Sequence, residues 1–110
     1  MSKQSKESAC CAGGHAEVGP SGVAATQAKF MEFMKAANSP GALDAQTKQA
    51  MAIALSVMTK CEPCTKNHIR KAREMGFSQD QIDEAAWVAI AFGGSPVMMF
   101  YNGIRAGEQA

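Results

Sequence analysis

The chain has 110 residues, 46% of them hydrophobic and 6% aromatic, with a formal net charge of +1. That length gives one domain with a modest core, and the balanced charge excludes the cationic excess that nucleic acid or an anionic lipid surface selects. The apolar runs at residues 50–58 and 85–92 are too short to cross a bilayer, so neither nucleic acid nor a membrane is an expected partner.

Residues 1–22, "MSKQSKESACCAGGHAEVGPSG", have no apolar periodicity. They read as a flexible tail before a helical domain over residues 23–110. The tail lacks an apolar stretch of signal-peptide type, so a cytoplasmic location is expected. In that compartment four cysteines are reactive or metal-binding rather than structural staples. Cys10 and Cys11 are adjacent and could form an easily reduced disulfide, hold a soft metal or metalloid, or have no role. His15 reads as a solvated tail residue.

"VAATQAKFMEFMKAA", residues 23–37, sets Phe30, Met31, Phe33 and Met34 at helical spacing. "NSPGALD" breaks that helix, and Asp44 suits the N-cap of a second one running to about Thr59. The centre of the second helix, "AMAIALSVM", is apolar nearly all round and predicts a buried central element. Pro63 marks the start of a third helix, to about Met75, with Glu62 outside it and Gly76 at C′. Ser78 and Gln81 form a capping box for a fourth helix over residues 79–92. Gly93 and Gly94 break it, and Ser95–Pro96 opens a fifth helix to about Arg105. Trp87 is expected in the core, and residues 98–101 ("MMFY") in the core or a subunit interface, with Met98 or Phe100 at the mouth of any thiol pocket. No strand pattern survives, so the fold class is all-α.

The chemistry lies in "KCEPCTKNH", residues 60–68. Cys64 falls in the first turn of the third helix, and His68, four residues on, shares its face. Cys61 stands just before the helix, and the C-x-x-C spacing allows a disulfide across the helix start. Free N–H groups and the helix dipole favour a thiolate there, and His68 can take or return its proton. Two other readings stay open. The thiols could be inert packing. Alternatively Cys61, Cys64 and His68 could be three ligands of a metal or metalloid site, with the fourth from Cys10, Cys11 or His15.

Residues 43–100, "LDAQTKQAMAIALSVMTKCEPCTKNHIRKAREMGFSQDQIDEAAWVAIAFGGSPVMMF", resemble the carboxymuconolactone decarboxylase family, in its alkylhydroperoxidase D-like branch. The shared features are the Leu-Asp and Thr-Lys helix opening, the C-x-x-C-x-x-x-H, the Gly-Phe-Ser turn and the Gly-Gly-x-Pro entry to the last helix. The resemblance implies an all-α bundle around a central antiparallel helix hairpin, assembled into homotrimers or homohexamers. The small Ala-rich helices also favour association between chains. It further implies a thiol-dependent oxidoreductase that reduces peroxides or exchanges disulfides without a bound cofactor. A protein or small-molecule thiol would supply the electrons. Cys64 would attack the peroxide, Cys61 would resolve it, and His68 would belong to the proton relay. The decarboxylase branch typically lacks these cysteines, which points away from lactone decarboxylation.

The family usually adds a glutamate twelve residues before the first cysteine; here that position is Gln49, which can hold a hydrogen bond but not accept a proton. Glu62, Glu84 or a water are the candidate substitutes. Pro63 stands where an aromatic is common. Gln49, Ile53, Ser56 and Lys60 lie roughly on one face of the second helix, so Gln49 is expected to point toward the thiols and bond His68 or a cysteine.

Overall fold

The computed structural model describes residues 21–109. Cys10, Cys11, His15 and the rest of the expected tail up to residue 20 lie outside them. Among the described residues five helices follow in order: α1 (Gly22–Asn38), α2 (Ala45–Met58), α3 (Glu62–Glu74), α4 (Gln79–Gly93) and α5 (Ser95–Gln109). No strand occurs among the described residues. The fold is all-α, and among the described residues no helix is long and apolar enough to cross a membrane.

The chain divides into two compact units between Ala37 and Asn38. α1 buries no residue; Phe30 and Phe33 on it meet with ring centroids 6.4 Å apart.

In the second unit, local chemistry sets the helix ends. Asp44 accepts from the Thr47 N–H at 2.7 Å and caps α2. Ser78 and Gln81 exchange both bonds of a capping box at α4. Gly76 takes φ 96° just after α3, a left-handed conformation that costs a side-chain-bearing residue about 1–2 kcal/mol. At the α4–α5 corner, Gly94 has φ 78°, and a Cβ on Gly93 would overlap Val97 and come within 3.0 Å of Met58 Sδ.

Three boundaries differ from the sequence reading. α3 begins at Glu62, so Pro63 is its second residue and Cys61 its N-cap. Proline's bias against helical angles at the preceding residue is overridden here. α4 runs through Gly93, and Ser95 is already helical, so the carbonyl of Gly94, not Ser95, accepts the first bonds of α5, from Val97 and Met98. α5 extends past Arg105 to Gln109 because Glu108 is held by Arg73 at 3.1 Å and Arg105 at 3.3 Å.

The core is shared by four helices. α2 gives Ile53 and Val57; α3, Ile69 and Ala72; α4, Ile82, Ala86, Ala89 and Ile90; α5, Val97, Tyr101 and Ile104. Each fully buried isoleucine removes enough apolar surface from water to contribute about 1.5–3 kcal/mol. α2 packs against α3, α4 and α5, and in that sense it is central. It is not buried all round: Met51, Leu55 and Met58, at i, i+4 and i+7, form an exposed stripe. Trp87 is also not in the core but 50% exposed. The buried stripe of α4 is Ile82, Ala86, Ala89 and Ile90, and Trp87 lies just beyond its edge. The "MMFY" run divides. Tyr101 is buried, Met98 and Phe100 pack against the core, and Met99 is exposed.

Tyr101 also anchors a polar network that fastens α5 to α4. Its hydroxyl donates to Asp83 Oδ1 at 2.5 Å, where Gln79 Nε2 and Arg105 Nε converge at 3.0 and 3.1 Å. Burial alone would raise the Asp83 carboxyl. The hydrogen bonds from Tyr101 and Gln79 and the charge of Arg105 outweigh it and hold Asp83 below its ordinary value. Burial, then the bond to Asp83, pushes the Tyr101 phenol upward.

Candidate functional site

α2 and α3 form a hairpin joined by three residues, Thr59, Lys60 and Cys61. The turn closes through the Cys61 N–H donating to the Ser56 carbonyl at 3.3 Å. Lys60 is the one non-glycine residue with positive φ among those described, at 55°. The left-handed turn at Lys60 ends α2 and lets Cys61 take the extended N-cap conformation, φ −95° and ψ 106°.

Cys61 and Cys64 are joined as a disulfide, with Cα atoms 5.3 Å apart, within the ordinary range for such a bridge. Cys61 is half-buried and Cys64 is exposed. Cys61 makes no side-chain cap hydrogen bond, so first-turn N–H groups of α3 stay available to a thiolate. Pro63 contributes none, but the Cys64 N–H and the positive end of the helix dipole remain.

His68 is half-buried and lies one turn beyond Cys64 on the same flank. Its pKa is lowered, first by burial and then by the charge of Lys71. Burial thus favours the neutral ring, the state that can accept a proton from a thiol.

Gln49 is buried, 6% exposed. Its Nε2 donates to the main-chain carbonyl of His68 at 2.8 Å. It therefore reaches His68 through the backbone rather than through the ring. The same bond ties the first half of α2 to the middle of α3 across the hairpin. Ile53 and Ser56 continue the buried face of α2, while Lys60 is exposed. Ser56 Oγ donates within the helix to the Ile53 carbonyl at 2.9 Å.

The glutamates named as substitutes for the missing family glutamate lie elsewhere. Glu62 pairs with Lys66 at 2.8 Å, about 120–160° around α3 from His68 and Cys64 by helical periodicity. There Glu62 and Lys66 line a cleft of about 320 Å³ with Met99, Phe100 and Gly103. Phe100 thus borders the first turn of α3, on the flank away from His68. Glu84 lines a separate cleft of about 370 Å³ with Gln46, Thr47, Ala50 and Val88.

Thr65 is the site residue that sequence reasoning missed. It is fully buried, one residue after Cys64 and three before His68. Among the described residues, no group of three His, Cys, Asp or Glu side chains is arranged to hold a metal ion.

The profile of the carboxymuconolactone decarboxylase family matches residues 24–107. The chain belongs to the carboxymuconolactone decarboxylase family. It is similar to an uncharacterized protein of the cox locus of Paracoccus denitrificans, 42% identical over 60 residues that make up 54% of each chain. The chain thus aligns with about half the length of that relative. An uncharacterized protein of Cupriavidus necator is 33% identical over 76 residues, 69% of this chain and 67% of its own.

Two solved structures of the family share the fold. One is a carboxymuconolactone decarboxylase family protein from Legionella pneumophila, with a TM-score of 0.70 and 27% identity over 79% of each chain. The other comes from Thermotoga maritima, with a TM-score of 0.68 and 28% identity, covering 74% of this chain and 69% of its own. An antioxidative role has been suggested for the Thermotoga protein.

Proposed function

We propose that this member of the carboxymuconolactone decarboxylase family is a cytoplasmic thiol-dependent oxidoreductase whose Cys61 and Cys64 cycle between dithiol and disulfide. The observation that carries the reading is the Cys61–Cys64 bridge at the α3 N-terminus, with His68 one turn along. The antioxidative role suggested for the Thermotoga neighbour points the same way.

In the oxidative half, the Cys64 thiolate attacks one peroxide oxygen. The O–O bond breaks, and the alcohol or water leaves with a proton that His68 returns. Cys64 is then a sulfenic acid. The Cys61 thiol attacks its sulfur, water leaves, and the disulfide forms. A protein or small-molecule dithiol restores the pair by exchange, delivering two electrons and two protons. Disulfide substrates enter at the exchange step and need no peroxide.

The test is turnover with both oxidant classes, read with mass spectrometry under native conditions. The expected result is reversible loss of two mass units confined to the Cys61–Cys64 peptide, with peroxide or disulfide consumed in proportion to donor thiol. A metal that survives dialysis together with redox-inert thiols would instead establish a binding module and overturn the proposal.

We also propose a homotrimer or homohexamer. The exposed stripe of Met51, Leu55 and Met58, with Trp87, Val88 and Phe92 on α4, supplies apolar surface of the kind that subunit contacts cover. Light scattering at micromolar concentration should give three or six chains, and a monomer would reject the assembly.

A further inference from the structure

Two side-chain atoms among the described residues are buried without a hydrogen-bond partner: Thr65 Oγ1 and His68 Nδ1. Both belong to α3 and stand three residues apart. That spacing puts their Cβ atoms about 5–6 Å from each other on one face. Thr65 is 0% exposed, so bulk water cannot satisfy its hydroxyl. A buried polar atom left unpaired is costly, and such atoms are rare in folded proteins. Two of them one turn apart, one a hydroxyl and the other a ring nitrogen, are complementary in chemistry.

We propose that Thr65 is a positioning residue for His68: the two atoms do not bond each other directly, and one enclosed water between them carries the Nδ1–H hydrogen bond to the Thr65 hydroxyl and so fixes the ring tautomer. The proton then sits on Nδ1, and Nε2 presents its lone pair on the more accessible side. Thr65 itself is held at the first turn of α3 by its N–H, which donates to the Cys61 carbonyl at 2.9 Å. Gln49 completes the arrangement from α2 by holding the His68 carbonyl at 2.8 Å. The backbone and the ring of His68 are thereby fixed by different residues, Gln49 and Thr65.

The direction of the bond rests on the proposed redox function, because a base facing Cys64 requires the lone pair on Nε2. The existence of the Thr65–His68 pairing does not. A histidine acts through one nitrogen according to the bond its other nitrogen makes, which is how Thr65 would influence the thiol without touching it.

The experiment compares the full-length protein with Thr65→Val and Thr65→Ser, all in the reduced state. The readouts are imidazole nitrogen chemical shifts and the rate of Cys64 alkylation at pH 7.5. Wild type should carry the proton mainly on Nδ1. Thr65→Val removes the hydroxyl at nearly constant shape and should move the proton toward Nε2, the site an imidazole prefers in water. Its alkylation rate should fall about 10–100-fold, the usual cost of losing a partner that orients a working side chain. Thr65→Ser should restore both readouts, which a purely steric role for Thr65 would not predict. Identical tautomer ratios in wild type and Thr65→Val would overturn the proposal. If the tautomer shifts but alkylation is indifferent to it and to His68→Gln, the pairing stands and the redox role of His68 fails.

Discussion

Cys64→Ser should abolish peroxide turnover, whereas Cys61→Ser should allow one oxidation and then stop. Cys64 is exposed and Cys61 half-buried, so the accessible sulfur is the one that meets substrate. Cys64 is also the third residue of α3, which begins at Glu62, and there the field of the helix start lowers a thiol pKa. His68 follows one turn later to handle the proton. Serine at position 64 has no ionised form near neutrality, so the first step is lost by at least about 10³-fold, on the scale set by general acid–base and nucleophilic contributions. With serine at 61, Cys64 still forms a sulfenic acid but has no resolving partner. Peptide mass mapping after one equivalent of peroxide should therefore find 16 mass units added at Cys64 in Cys61→Ser, and none at Cys61 in Cys64→Ser. The mapping also separates these peptides from Cys10 and Cys11. The opposite pattern would make Cys61, the N-cap residue, the attacking thiol.

What the sequence revealed and what it hid divide along the range of the interactions. Asp44, Ser78 with Gln81, and Gly76 act within one helical turn, so their residue types alone announce the helix ends. Cys61, Cys64 and His68 are equally local, and their shared position on α3 follows from the helical repeat. Thr65 gave no such signal. It stands between Cys64 and Lys66 in a polar stretch, and only the packing of α3 within the bundle buries it. The Asp83–Tyr101–Arg105 network was likewise invisible, because its bonds join residues 18 and 22 apart. The end of α5 was hidden for the same reason. Gly107 weakens the helical continuation of "AGEQ" by propensity, but Glu108 is held by Arg73 of α3 and Arg105. Trp87 and the Met51–Leu55–Met58 stripe show the complementary limit. Apolar periodicity identifies a face that avoids water but does not say which surface covers it.

Gln49→Glu should gain peroxide-reducing activity and lose stability, and pH should separate the two effects. Gln49 donates through Nε2 to the His68 carbonyl from a buried position. An ionised glutamate there has no proton to donate and sets one oxygen against another. Protonated glutamate restores the bond. Burial and the facing carbonyl therefore both raise the folded-state pKa of this carboxyl above the unfolded value of about 4.3. Between those two values the folded protein binds the extra proton, so stability must fall as pH rises and then level off above the folded pKa. Each unit of upward shift costs about 1.4 kcal/mol at high pH, and a shift of about two units gives a loss near 3 kcal/mol at pH 8 that is mostly absent at pH 4. Urea unfolding of wild type and variant at those two pH values measures this. The same raised pKa lies where a general acid–base group is effective, next to the backbone that carries His68. Peroxide reduction should rise by up to about 10²-fold around pH 6–7, with disulfide exchange changed far less because it depends chiefly on the thiols. Stopped-flow oxidation across pH 5–9 tests it. Superimposed rate profiles for the two proteins would mean that a carboxyl at position 49 cannot reach the proton path. The hydrogen bond to the His68 carbonyl would then be its only role, as a brace between α2 and α3.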